Sequence, residues 1–410
     1  MKITHIHIER FRGFQNEDFE VGSLLTAIAG QNGTQKSTLL GIITQTFTLK
    51  TEDSMRVEKP LCGGSYISAF KDKFRLSPTF DKPKGHEWTI SFDAGMDDFT
   101  VESIKRTGDP NVRFWKKGAR QEGDGYISFP TIFLSLKRLV PVAEEAKIIT
   151  DDTLLTQEEL NEFKQLHNKI LIAQTPISSA TTITSKNKQS IGVSTELYDW
   201  NQNSMGQDNL GKIILALFSF KRLHDKYPRQ YKGGILAIDE MDATMYPASQ
   251  VELLKVLRKY ASKLNLQILF TTHSMSLLKA MDDLVQEVTK KEETANQAKI
   301  LYLKKVDDKI AIKQGVNFKG IQLDLNVVAE GNNRKKNRIT AYTEDKENIL
   351  FVKAILKSKA FVLDFVDVTL PCSTLMELVT KRVPAFIYPY SIVILDGDVR
   401  MNSKLPKLAY

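Results

Sequence analysis

Gly30-Gln31-Asn32-Gly33-Thr34-Gln35-Lys36-Ser37-Thr38 is the stretch that decides how this chain is read. The strand-like run Leu24 to Ala29 feeds into it, and Leu39, Leu40, Ile42, Ile43 and Phe47 follow at helical spacing. The predicted local structure is therefore strand, glycine-bearing loop, helix. Such a loop turns backbone N–H groups and the positive end of a helix dipole toward phosphate oxygens. Gly30, Asn32, Gly33, Gln35, Lys36, Ser37 and Thr38 are the candidate nucleotide-binding residues, with Lys36 reaching the β- and γ-phosphates and Ser37 ligating Mg²⁺. The G-x-x-x-x-G-K-S/T pattern calls for glycine before the lysine, where this chain has Gln35. If the backbone there is left-handed, a side chain costs about 1 kcal/mol or more.

Three further motifs follow in order. The apolar run Ile235 to Ile238 ends in Asp239-Glu240, which puts two carboxylates at the carboxyl edge of a parallel sheet, where ligands collect. Asp239 suits the Mg²⁺ shell, and Glu240 suits orienting or deprotonating an attacking water. A second buried run, Ile268 to Phe270, leads into Thr271-Thr272-His273-Ser274, with His273 a candidate γ-phosphate contact. Ser204-Met205-Gly206-Gln207 precedes a helical pattern from Leu210 to Leu223.

A chain of 410 residues exceeds what one core usually supports, so a large domain plus a smaller one is expected. With 42% hydrophobic and 26% charged residues, extensive disorder is excluded. No apolar stretch of about eighteen residues occurs, and Met1 to His7 alternates like a strand, so the expectation is a cytoplasmic protein with no membrane partner. Cys62 and Cys372 are the only cysteines, too few for a thiolate cluster and expected as inert buried thiols. Residues 331 to 410 hold thirteen Lys/Arg against eight Asp/Glu, a net +5 of the chain's +8. That bias suits a polyanion such as DNA and equally a solvated lysine-rich surface.

Residues 65 to 135 carry short alternating runs such as Trp88 to Phe92, expected as an antiparallel sheet. From about 142 to 200 the pattern reads as helical, interrupted by a polar loop from Thr181 to Ser190. Arg334 to Arg338 reads as a linker or basic turn. Beyond it a strand (339–343), helix (345–356), strand (365–370), helix (373–381) and strand (392–395) imply a second parallel sheet. Glu344 closes the first of these strands, and Asp396 and Asp398 close the last. Three carboxylates at parallel strand ends suit Mg²⁺ or Mn²⁺ and phosphodiester chemistry.

As a set the motifs over residues 1 to 320 resemble the ABC-type ATPases of the SMC, RecF and OLD group. Ser204-Met205-Gly206-Gln207 resembles their signature motif without its usual double glycine, Asp242-Ala243 the D-loop, and His273 the switch histidine. The resemblance implies a homodimer, or higher homo-oligomer, in which Ser204, Gly206 and Gln207 of one copy close over ATP held by Lys36 of another. The short insertion departs from the long-armed members. Residues 335 to 410 resemble a Toprim domain, which implies Glu344 as general acid/base and Asp396 and Asp398 as metal ligands. Only twelve residues follow Asp398, fewer than a complete Toprim domain carries.

The expected architecture is thus α/β: an ABC-type P-loop ATPase head over residues 1 to 325, with an antiparallel β subdomain and a short helical insertion, then a smaller α/β Toprim-like domain. That combination resembles OLD-family nucleases and the ATPases of Gabija, Septu and retron defence systems. It implies ATP and Mg²⁺ as cofactors and a nucleotide-gated DNA nuclease. Two other functions fit the same residues: an ATPase sensor that restrains a separate effector nuclease or toxin, and a RecF-like repair clamp.

Overall fold

Every residue of Leu25–Gly30, Gly234–Ile238 and Leu266–Thr271 is buried in the computed structural model of the chain. Continuous burial is what strands covered on both faces require. They form the centre of a six-stranded sheet ordered Lys309–Lys313, Ala298–Val306, Leu25–Gly30, Leu266–Thr271, Gly234–Ile238, Thr131–Leu134. The last five run parallel, and Lys309–Lys313 closes one edge antiparallel. Pairing Ile238 with Phe270 and Thr271 with Ile28 brings the carboxyl ends of the three central strands to one edge.

The structure describes residues 1–50, 52–66, 70–93, 95–105, 112–118, 125–140, 147–151, 154–173, 175–185, 189–330, 339–387 and 391–396. Arg334 to Arg338, read as a linker, and Asp398 lie outside them.

The antiparallel sheet expected within residues 65 to 135 also takes in two strands from the start of the chain, and its order is Phe14–Glu20, Ile3–Phe11, Glu87–Phe92, Phe99–Lys105, Val112–Lys116. Its inner face packs Ile6, Ile8, Phe11, Trp88 and Phe114 into one core with Leu39, Ile42 and Ile43 of the helix Lys36–Thr44. Buried Gln267 ties the two sheets, accepting from Ile3 N (2.7 Å) and donating to Ile3 O (2.8 Å) and Gly22 O (3.1 Å).

The insertion is less helical than its sequence suggests. One helix, Gln157–Leu171, opens with a capping box between Thr156 and Glu159. The segment expected as a polar loop instead contributes a strand, Ser179–Thr184, paired with Gln189–Ser194 and with Ile149–Asp151. Its threonines are polar yet β-branched, and Thr182 faces the buried Ile191 across the ladder. Of the two cysteines, Cys62 is buried, and burial pushes its thiol up to about 11; Cys372 is only half-buried, contrary to expectation.

The chain divides into two compact units, Met1–Gln322 and Leu323–Tyr410. In the second, three parallel strands are ordered Leu363–Phe365, Ile339–Thr343, Ser391–Ile394, joined by the helices Lys346–Leu356 and Cys372–Thr380. The strand expected over 365 to 370 lies earlier: Val366 N still reaches Ala341 O at 3.1 Å, but Val368 N turns back to Val366 O and the ladder ends.

Candidate functional site

The strand Leu25–Gly30 ends where its backbone must fold over. A Cβ on Gly30 would sit 2.4 Å from Leu303 O, and Gly30 has φ 153°, so only glycine fits. Gly33 follows at φ 79°. Gln35 is indeed left-handed (φ 61°, ψ 34°) as the N-cap of Lys36–Thr44, so the strain expected of a non-glycine residue is present. Its Oε1 is buried without a hydrogen-bond partner, and its Nε2 packs over Gly13.

Lys36 is buried, its Nζ donating to Gly30 O (3.1 Å) and Gln31 O (2.9 Å). Burial lowers its pKa, while Glu240, Asp239 and Asp242 pull it back up. Ser37 Oγ donates to Asp239 Oδ1 at 2.8 Å, and Thr271 Oγ1 donates to the same oxygen at 2.7 Å. Glu240 N in turn donates to Thr271 Oγ1 at 2.6 Å. The glycine-bearing loop and the strand-end acids are therefore one hydrogen-bonded unit. The paired oxygens of Ser37 and Asp239, beside the positive end of a helix, are the hard donors that Mg²⁺ carried by a nucleotide triphosphate requires.

Glu240 also has positive φ (50°), which turns the chain sharply after the buried strand. His273 N meets Asp242 Oδ1 at 3.4 Å. Lost hydration, then the nearby Lys36 ammonium, lower the His273 pKa from 6.5, which favours a neutral ring at pH 7. The hydrogen bonds of Ser204 are local: its Oγ accepts from Gln207 N (3.3 Å), and Gln207 Oε1 accepts from Ser204 N (2.9 Å), capping the helix Met205–Lys226. Gly206 is buried against the turn after Glu240, where a Cβ would lie 2.5 Å from Thr244 O.

Residues 135–278 match the family model of the AAA ATPase domain. That span contains Ser204, Gly206, Gln207, Asp239, Glu240 and His273; the loop at Lys36 lies upstream of it. No curated protein matches the chain. Among solved structures the chain is similar to the SMC head domain from Thermotoga maritima, at 14% identity over 77% of this chain and 100% of that one, with a TM-score of 0.42. It is similar also to an Smc head bound to the C-terminal winged-helix domain of ScpA (14% identity, 78% and 100% covered, TM-score 0.44). A third is an Smc head with an extended coiled coil, bound to the C-terminal domain of ScpA derived from Pyrococcus furiosus (13% identity, 80% and 99% covered, TM-score 0.43).

Two arginines beside this site, Arg12 and Arg138, had no role assigned from the sequence. Arg12, at the turn after Ile3–Phe11, brings NH1 within 3.5 Å of Thr38 Oγ1. It is fixed from behind by Asp81, which accepts from Nε and NH2 at 3.0 Å each, while Asp81 also faces His86 Nε2 at 3.0 Å. Arg138 follows the strand Thr131–Leu134, is fully buried, and donates NH2 to Glu240 O at 2.8 Å. Burial pushes its guanidinium down to about 10, so it stays charged at neutral pH. The available signal was only a basic residue at the turn after a strand. Its partners are distant in sequence.

In the second unit, Thr343 pairs with Ile394, so Glu344 and Asp396 leave adjacent parallel strands at the same edge. The chain enters Leu363–Phe365 on one side of Ile339–Thr343 and Ser391–Ile394 on the other, and ligands favour such a reversal point. Glu344 is half-buried and Asp396 exposed. Among the described residues no group of three or more His, Cys, Asp or Glu is placed to hold a metal, and the third expected acid, Asp398, is not among them. No described helix is long and apolar enough to cross a membrane.

Proposed function

We propose that this chain is an ABC-type ATPase that sandwiches Mg²⁺-ATP between two copies and couples nucleotide turnover to a metal-dependent, Toprim-like DNA nuclease module in bacterial anti-phage defence. The observation that carries the ATPase reading is the continuous link Ser37, Asp239, Thr271, Glu240, which joins the phosphate loop and the proposed metal ligands to the backbone N–H of the residue that carries the proposed water-activating carboxylate. Lys36 would bind the β- and γ-phosphates, Ser37 and Asp239 would hold the ion, and Glu240 would take a proton from the attacking water. Bound there, Mg²⁺ would supply charge neutralisation for the phosphoryl group being transferred. Gly30, Asn32, Gly33, Gln35 and Thr38 line the phosphate loop, and His273 approaches the γ-phosphate. Ser204, Gly206 and Gln207 meet the nucleotide of the second copy.

The nuclease reading rests on Glu344 and Asp396 leaving adjacent strands at a reversal point, with Asp398 completing the set and Mg²⁺ or Mn²⁺ as the ion. A cytoplasmic location suits both modules. The test is plasmid incubated with Mg²⁺ or Mn²⁺, with and without ATP. Nicking that is lost in Glu344→Gln and Asp396→Asn while ATP hydrolysis survives supports the coupling. Equal nicking by the variants contradicts it.

One observation favours a second reading, an ATPase sensor that docks a separate effector nuclease or toxin. The helix Lys346–Leu356 exposes Leu350, Phe351 and Ile355 at 66%, 67% and 75%. Apolar residues clustered on one exposed helix are commoner at interfaces than on free surfaces. ATPase activity without cleavage, with Phe351→Asp releasing a co-expressed effector, would select this reading.

A further inference from the structure

We propose that Arg138 is a positioning residue for hydrolysis, tying the backbone of Glu240 to the seating of the helix Met205–Lys226; this rests on the ATPase reading above.

The guanidinium is only 2% exposed, yet each acceptor it is given is neutral. Nε donates to Asn209 Oδ1 at 2.7 Å, NH1 to Leu134 O (3.2 Å) and Ser135 O (3.1 Å), and NH2 to Glu240 O (2.8 Å). Burying a charge is costly, and the usual remedy is a carboxylate partner. Here Asp239, Glu240 and Asp242 compensate it only through the field, while the directional bonds all go to backbone carbonyls and one amide. Directional bonds to backbone fix geometry, and the forked guanidinium reaches several acceptors from one position.

The acceptors lie on three elements. Leu134 and Ser135 end the strand beside Gly234–Ile238, and Asp239 N donates to Leu134 O at 3.0 Å. Glu240 O belongs to the strained residue whose carboxylate is the proposed base. Asn209 sits within the helix capped by Ser204, and its Nδ2 donates onward to Ala243 O at 2.9 Å. Ala243 N returns to Glu240 O at 3.1 Å. Arg138 and Asn209 thus close a ring around the turn from Glu240 to Ala243. The helix that presents Ser204 to a second copy cannot shift without moving the peptide that aims Glu240.

The experiment is steady-state ATP hydrolysis and equilibrium Mg²⁺-ATP binding by the full chain, comparing wild type with Arg138→Met, Arg138→Lys, Asn209→Ala and the Arg138→Met/Asn209→Ala double variant. Displacing a reacting group by about 1 Å costs on the order of 10²-fold, so kcat should fall by about that factor in Arg138→Met with KM and affinity unchanged. Lysine should not rescue, because one ammonium cannot span acceptors on three elements. Asn209→Ala should lower kcat in the same way, and the double variant should be no slower than Arg138→Met. Combined with Glu240→Gln, Arg138→Met should cause no further loss, since both act through one carboxylate.

Wild-type kcat in Arg138→Met, a loss confined to KM, or multiplicative losses with Glu240→Gln would overturn the assignment. If Arg138→Met does not fold, Asn209→Ala decides alone: an unchanged kcat overturns the proposal. A wild-type chain that binds no nucleotide and hydrolyses none overturns the ATPase reading itself.

Discussion

Two places in this molecule set acidic residues at the carboxyl ends of parallel strands, and they differ in how deeply those residues are buried. In the first unit, Asp239 is 5% exposed and its Oδ1 accepts hydrogen bonds from Ser37 and Thr271. In the second unit, Glu344 is half-buried and Asp396 is exposed, at a reversal point of a three-stranded sheet. Topology alone brings acids to a strand edge. A second set of hydrogen bonds is what holds them at catalytic geometry. The Asp239 side chain is therefore held in place by its own neighbours.

The largest expected effect follows from that contrast. Glu240→Gln should lower ATP hydrolysis by about 10² to 10⁴-fold, the usual range for a general base, with ATP affinity retained. Glu344→Gln should leave the same rate unchanged. A phosphate-release assay on both variants decides it, and equal losses would erase the distinction between the two edges.

Next in size is the support behind the phosphate loop. Asp81 is 2% exposed at the side chain, between Arg12 and His86. Burial alone would raise its pKa, but the Arg12 guanidinium, Ser77 N–H and His86 ring hold it down to about 2, against 3.8 for a free carboxyl. Removing one partner of a buried pair typically costs about 3–5 kcal/mol, so Asp81→Asn should unfold at markedly lower urea. The pH dependence has a fixed sign. A folded carboxyl with a depressed pKa stabilises fully above about 3.8, and that contribution is lost as pH falls through about 2. His86, lowered from 6.5 mainly by burial, acts in the same direction from about pH 6.5 downward. Urea midpoints should therefore fall with acidification, and less steeply in Asp81→Asn. Identical slopes would remove Asp81 from the support.

Much of the first unit was legible because its chemistry is local. The spacing of Gly30, Gly33 and Lys36, the apolar run before Asp239 and the alternation of Trp88 to Phe92 each report a structure formed by neighbouring residues. The strand Ser179–Thr184 was hidden because polarity suggested a loop where β-branching and a buried partner strand decide. Arg12 and Arg138 were hidden for another reason. Their importance comes from acceptors about 70 and 100 residues away, Asp81 and Glu240, which only the folded chain brings close.

The smallest expected effect concerns Gln35. Its left-handed backbone should make Gln35→Gly more stable by about 1 kcal/mol, read as a higher urea midpoint. A destabilised variant would mean that Gln35 packing over Gly13 outweighs the strain.

The most direct measurement is sedimentation of Glu240→Gln at one protein concentration with Mg²⁺, with and without ATP. The expected result is a monomer that becomes a dimer only with ATP, and that stays monomeric when Ser204→Arg is added. A mass that ignores ATP, or a dimer that survives Ser204→Arg unchanged, would contradict the sandwiching of nucleotide between Lys36 of one copy and Ser204 of another.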